Sequence, residues 1–152
     1  MTTPTLKAQL RTDLTSAMKA RDELRAATLR MALAAITTEE VAGKAARELS
    51  DGEVLKVLTR EVKKRREAAE AFAGAGRAEQ AAREDAEGEV LTAYLPAQLT
   101  DDELRALVAA AIAESGAEGP RAMGAVMKVL TPRVAGRADG ARVAAAVKAA
   151  LS

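Results

Sequence analysis

The chain of 152 residues contains no cysteine, no histidine and no tryptophan, and only one tyrosine and one phenylalanine. Without cysteine there is no disulfide, no thiolate metal site and no thiol nucleophile. Without histidine the usual general base near neutral pH and the commonest metal ligand are both missing. The four serines, Ser16, Ser50, Ser115 and Ser152, have no Gly-x-Ser-x-Gly pattern around them. Ser16 and Lys19 have Ser-x-x-Lys spacing, but the Ser-Asp-Asn and Lys-Thr-Gly segments that accompany it in serine–lysine enzymes are missing, so no serine nucleophile is marked. No glycine-rich phosphate loop of the nucleotide-binding type is present. The adjacent carboxylates Glu84-Asp85 and Asp101-Asp102 point about 100° apart on a helix, and the second pair suits a helix first turn, where the dipole favours anions. No catalytic residue, no cofactor and no metal are therefore expected. Uncharged runs fall well short of the roughly 20 residues needed for a membrane span. Met1-Thr2-Thr3-Pro4 lacks a basic segment followed by an apolar stretch, so a cytoplasmic location is expected.

What the chain has in abundance is alanine, leucine, arginine, lysine and glutamate at helical spacing, which predicts an all-α protein. Thr3-Pro4 reads as a cap with proline at the first helical position, opening a helix striped by Leu6, Leu10, Leu14 and Met18. Asp22 caps a second helix with Leu29, Leu33 and Ile36 on one face. Ser50 and Glu53 have capping-box spacing, opening a third with Leu55, Leu58, Val62, Ala69 and Phe72 on its seam. A fourth carries Ala82, Ala86, Val90 and Leu91 towards Tyr94. Pro96 interrupts the pattern, because the residue before a proline avoids the α region. Thr100 and Glu103 form another capping box, ahead of Leu104, Leu107, Val108 and Ile112. Gly116 ends that helix. A sixth helix runs from Pro120 through Met123, Val126, Met127 and Leu130, with Pro132 as its expected stop. Asp139 caps a last helix with Val143, Val147 and Leu151. The expected organisation is an N-terminal domain of about four helices in hairpins (1–95), a linker (96–99) and a compact three-helix tail domain (100–152).

Two segments carry concentrated positive charge. Between Val54 and Arg66, Lys56, Arg60, Lys63, Lys64, Arg65 and Arg66 oppose only Glu61; the following helix sets Glu79, Glu84, Asp85, Glu87 and Glu89 against Arg83. If Gly74 and Gly76 turn an antiparallel hairpin, Lys63 falls level with Glu87 and Arg66 with Glu84, so the first run reads as neutralised by its neighbour. Arg65 lies on the apolar seam and is expected to lay its stem over the core with its head in water. From Gly119 onward, Arg121, Lys128, Arg133, Arg137, Arg142 and Lys148 face the single anion Asp139. That excess favours a polyanionic partner. Met123 and Met127 read as core residues. Gly124 permits close backbone approach to another helix, the favoured reading, or to a ligand phosphate. Asp139 reads as a cap leaving the last helix's N-terminus beside Arg137 and Arg142, a phosphate-binding corner.

The ordered set Ala17-Met18-Lys19-Ala20-Arg21-Asp22, Leu29-Arg30, Lys64-Arg65-Arg66-Glu67, Phe72, Ala75-Gly76-Arg77, Glu84, Glu87, Tyr94-Leu95-Pro96, Gln98-Leu99, Met123-Gly124, Val126-Met127 and Gly136-Arg137-Ala138-Asp139-Gly140 resembles the GatB/YqeY family over essentially the whole chain. The resemblance implies an all-helical fold whose tail is similar to the C-terminal domain of the B subunit of tRNA-dependent amidotransferase. That enzyme amidates misacylated glutamyl- or aspartyl-tRNA with glutamine as nitrogen donor, and its tail helps to hold the tRNA. The chain departs from the family pattern at Ala68, where serine is common, at Arg121-Ala122, where lysine and aspartate are common, and at Lys128, where a second glycine is common.

Three readings follow. The first is a tRNA-binding module accessory to amide transfer, with phosphate contacts from Arg133, Arg137, Arg142 and Lys148 and with Arg121 and Lys128 at the rim. The second is a helical docking module, with aminoacyl-tRNA synthetase or amidotransferase subunits as partners. The third is an amide-transferring carbon–nitrogen ligase, against which the missing nucleophiles and bases speak. The scarcity of aromatics disfavours reading single-stranded bases by stacking.

Overall fold

The computed structural model describes residues 3–116 and 118–152. Among them are seven α-helices, one 3-10 turn and no strand: α1 Leu6–Lys19, α2 Glu23–Glu40, α3 Asp51–Gly74, α4 Ala78–Thr92, α5 Asp101–Ser115, the 3-10 turn Pro120–Ala122, α6 Met123–Val134 and α7 Gly140–Leu151. The all-α expectation holds. The chain divides into two compact units, Met1–Leu95 and Pro96–Ser152.

In the first unit, Leu10, Leu29, Ile36, Val54, Leu58 and Leu91 are fully buried in one cluster, each large aliphatic side chain contributing about 1.5–3 kcal/mol. α1 starts two residues later than Thr3-Pro4 suggested: Thr5 is the cap, its Oγ1 accepting from Ala8 N at 3.1 Å. The predicted stripe on α1 also drifts. Four-residue steps rotate by about 40° each, so Leu10 and Ala17 are buried while Met18 is 52% exposed. On α4, Leu91 is buried and Val90 packs against the core as expected, but the inward face is otherwise rotated. Ala82 is exposed, and Ala81, Glu87 and Leu91 are the buried positions.

Polar contacts fasten the ends of these helices. Lys7 Nζ donates to both carboxylate oxygens of Glu40 at 2.8 and 2.9 Å. Tyr94 donates its hydroxyl to Asp13, and burial first, then that carboxylate, pushes its pKa up to about 12. Ser50 and Glu53 form the expected capping box, and Glu53 also meets Arg47 at 2.7 Å.

The Arg47 contact, followed by the Ser50 backbone N–H, holds the Glu53 carboxyl down at about 2 from its ordinary 4.5. A depressed carboxyl stabilises the fold above its unfolded pKa and loses that contribution as pH falls towards the folded value. Glutamine keeps the capping box but not the charge. Wild type and Glu53→Gln should therefore differ in melting temperature at neutral pH and converge between pH 4.5 and 2. Thermal melts across that range check this, and a gap that stays constant with pH would contradict the pairing.

The second unit has its own core of Leu99, Leu104, Val108, Ala111, Val126, Leu130, Val134, Val143 and Val147. α6 does not stop at Pro132 but runs to Val134. The proline sits in the last turn among the exposed Thr131 and Arg133, so the hydrogen bond it cannot make is lost where water substitutes. A type II turn follows. Ala135 has φ −54° and ψ 124°, Gly136 takes φ +74°, a conformation glycine adopts without penalty, and Arg137 N donates to Val134 O at 2.8 Å. Residues 96–99 are stitched to this turn. Leu99 N donates to Arg137 O at 2.8 Å, and Gln98 Nε2 donates to Gly136 O at 3.0 Å. Among the described residues no helix is long and apolar enough to cross a membrane.

Candidate nucleic-acid interface

The six tail cations of the sequence reading occupy three different situations. Arg133 lies 2.5 Å from Glu114 and Arg142 lies 2.7 Å from Asp101. Arg137 is half-buried and its Nε donates to Ala97 O at 3.3 Å. Arg121, Lys128 and Lys148 are exposed, and none of them has a carboxylate within 4.0 Å among the described residues.

The tail was expected to lack an acidic neighbour, and the structure corrects that. Counting from Gly119 leaves out α5, whose acids fold against α6 and α7. Over Pro96–Ser152 the cations are Arg105, Arg121, Lys128, Arg133, Arg137, Arg142 and Lys148, and the anions are Asp101, Asp102, Glu103, Glu114, Glu118 and Asp139. Seven against six leaves +1 in place of the +5 of the shorter segment. The Arg142 guanidinium holds the Asp101 carboxyl below its usual range, first by their hydrogen bond and then by charge. Both bridges are exposed, so water and salt screen them and each holds its arginine only weakly.

Nor do the cations share one face. Lys128 and Arg133 are five residues apart on α6, and Arg142 and Lys148 six apart on α7, which places each pair on sides about 120–140° apart. The proposed phosphate corner is also partly occupied: Asp139 caps α7 by accepting from Ala141 N at 2.9 Å. Gly124 is exposed, and a Cβ built there would meet nothing within 4 Å. It is therefore not a point of close helix approach. Met123 and Met127 are packed against the second core as expected.

The basic run on α3 is arranged otherwise than its sequence level suggested. Neither Lys63 with Glu87 nor Arg66 with Glu84 forms an ion pair. Equal height along two helices does not fix which faces meet, and Lys63 and Arg66 point outward. The residue that faces α4 is Arg65. It is buried whole and does not extend its head into water: its Nη1 donates to Glu61 O at 3.1 Å and Oε2 at 3.3 Å, and its Nε lies 3.5 Å from Glu87 Oε2. Among the described residues that Nε makes no hydrogen bond, and Nη2 reaches only Met31 Sδ at 3.4 Å. Arg60 pairs with Glu39 at 3.3 Å. Among the described residues Lys56, Lys63, Lys64 and Arg66 have no carboxylate within 4.0 Å, so α4 neutralises this run through Arg65 alone.

Two similarities to known proteins bear on these arrangements. A family model described as Yqey-like protein matches residues 7–151. An uncharacterized protein of Schizosaccharomyces pombe (strain 972) is 36% identical over 94 residues, which is 61% of this chain and 74% of that protein.

Proposed function

The chain belongs to the YqeY-like protein family, and from that premise we propose that it is a tRNA-binding module, accessory to amide transfer and without chemistry of its own. The observation that carries this reading is the set of exposed, carboxylate-free cations Arg121, Lys128 and Lys148 in the second unit. Within that unit they are the cations whose charge is fully available to phosphate. Arg133 and Arg142 become available only by exchanging a carboxylate for a phosphate, a swap that gains little at an exposed site. The geometry thus favours Arg121, Lys128 and Lys148 as principal contacts, with Arg133, Arg137 and Arg142 supporting them. The likeness to the amidotransferase B-subunit tail that the sequence resemblance implies is what points to tRNA as the RNA, and to glutamine-dependent amidation as the process served.

Salt dependence counts the contacts. Each neutralised phosphate contributes about −0.7 to −0.9 to the slope of log affinity against log salt. Three contacts give a slope of about −2 to −3, and six give about −4 to −5. In a filter-binding titration of tRNA at several salt concentrations, Arg121→Ala with Lys128→Ala and Lys148→Ala should lose most of the salt-dependent affinity. Arg133→Ala with Arg142→Ala should change it much less. Absence of saturable binding by the wild type, or unchanged binding by the first variant, would sink the reading.

A groove of about 570 Å³ between α2 and α3, with Met31 38% exposed beside Ala34, Ala35 and Val57, favours docking to a protein as the second reading. Recovery of synthetase or amidotransferase subunits after nuclease treatment would support it.

A further inference from the structure

The turn between α1 and α2 contains a backbone conformation that favours glycine, yet an arginine occupies it. α1 closes in a Schellman motif, in which Asp22 N donates to Ala17 O at 2.9 Å and Arg21 N to Met18 O at 3.2 Å. The residue between, Arg21, takes φ +57°, and it is the one non-glycine residue with positive φ among those described. An L side chain is disfavoured there and glycine is not. Folding alone therefore gives no reason for an arginine at this position, and a strained residue retained at the mouth of a cleft points to use of its side chain.

Arg21 lines a cleft of about 550 Å³ together with Arg30 and Arg83. Arg21 and Arg30 are exposed, and neither has a carboxylate within 4.0 Å among the described residues. Arg83 uses its Nε on Glu87 Oε1 at 3.2 Å, which leaves both terminal nitrogens without a protein partner among the described residues. Two carboxylates also line the cleft, Asp22 and Glu23. Asp22 Oδ1 is engaged as the α2 cap, accepting from Arg25 N at 3.1 Å. Met18, 52% exposed, adds an apolar surface beside the arginines.

We propose that this cleft binds phosphate. Neither Asp22 nor Glu23 lies within ion-pair distance of the three guanidinium groups, whose forked donors match the terminal oxygens of a phosphate. Met18 would meet the uncharged part of the molecule that carries it. A phosphate of an RNA backbone and that of a free phosphate ester share this chemistry. The site lies wholly in the first unit and does not depend on the tail contacts proposed above.

The test is a titration of the full chain with inorganic phosphate, followed through the backbone amide resonances of Arg21, Asp22 and Arg30, with tRNA binding measured alongside. Wild type should show saturable shifts confined to the residues that line the cleft. Arg21→Gly suits the backbone, so its melting temperature should equal or exceed that of wild type. It should nevertheless weaken phosphate binding by about tenfold, the loss of a charge-assisted hydrogen bond. Arg30→Gln, at an exposed helical position, should do the same. If both variants also weaken tRNA binding, the phosphate belongs to the RNA backbone; if tRNA binding is untouched, it belongs to a free phosphate ester. Should wild type fail to bind tRNA at all, the tail reading falls while the phosphate titration still reads this site. No saturable shift at the turn, or unchanged phosphate binding by Arg21→Gly, overturns the proposal.

Discussion

Arg65→Ala should destabilise the first unit by about 3–5 kcal/mol, the typical cost of removing one partner from a buried ionic group. The guanidinium sits between two carboxylates, with side-chain exposures of 8% for Arg65, 14% for Glu61 and 9% for Glu87. Removing it leaves Glu61 without its cation and Glu87 with only Arg83, which is 60% exposed, and opens a gap between α3 and α4. The cluster itself contributes little relative to an apolar core, because desolvation offsets most of its attraction. Arg65→Met combined with Glu61→Leu and Glu87→Leu should therefore recover most of the loss. Urea unfolding followed by tyrosine emission is the measurement, since Tyr94 is the chain's one tyrosine and packs against the first core. A loss below about 1 kcal/mol for Arg65→Ala would place its head in water.

The same cluster shows what periodicity could and could not reveal. The Val62–Arg65–Ala69 spacing placed Arg65 on the buried seam, and that was legible. Its partners were not, because their identity depends on how α4 is rotated about its own axis. On α4 the polar Glu87 occupies an inward position and the apolar Ala82 an outward one, the reverse of what hydrophobicity indicates. A buried arginine on one helix is the signal that a buried acid is required on the next, and Glu87 is the acid on α4 that meets it. Capping boxes at Ser50 and Thr100 and the cap at Asp22 were readable because each is local, set within four residues. The tail's charge was misjudged for the opposite reason. Asp101 and Glu114 approach Arg142 and Arg133 only through the packing of α5 on α6 and α7, contacts between residues 19 or more positions apart. Arg21 shows a third case. Its φ follows from the tight α1–α2 connection, where Asp22 must serve at once as the end of one Schellman motif and the cap of the next helix.

Leu130→Ala should unfold the second unit while leaving the first intact. Leu130 is fully buried at the centre of the second core, with Val126 and Val134 on the same face of α6. Truncating a buried leucine costs about 2–5 kcal/mol. A unit of this size, 57 residues from Pro96 to Ser152, rarely has more than about 3–5 kcal/mol in hand. The two figures overlap, so the variant should populate the unfolded second unit heavily at 25 °C. Leu58→Ala removes an equally buried leucine from the first unit, where the larger core should absorb the loss. Circular dichroism should show reduced helicity for Leu130→Ala, with the urea transition reported by Tyr94 unmoved; a shifted Tyr94 transition would mean that the units unfold together. The variant also separates the two binding proposals. With the second unit unfolded, tRNA affinity should fall with the tail contacts, whereas phosphate shifts at Arg21 and Arg30 should persist. Undiminished tRNA binding by Leu130→Ala would move the RNA contact out of the tail and onto the first unit. There Lys56, Lys63, Lys64 and Arg66 of α3 and the arginines of the α1–α2 cleft are accessible cations with no carboxylate within 4.0 Å among the described residues, Arg83 excepted.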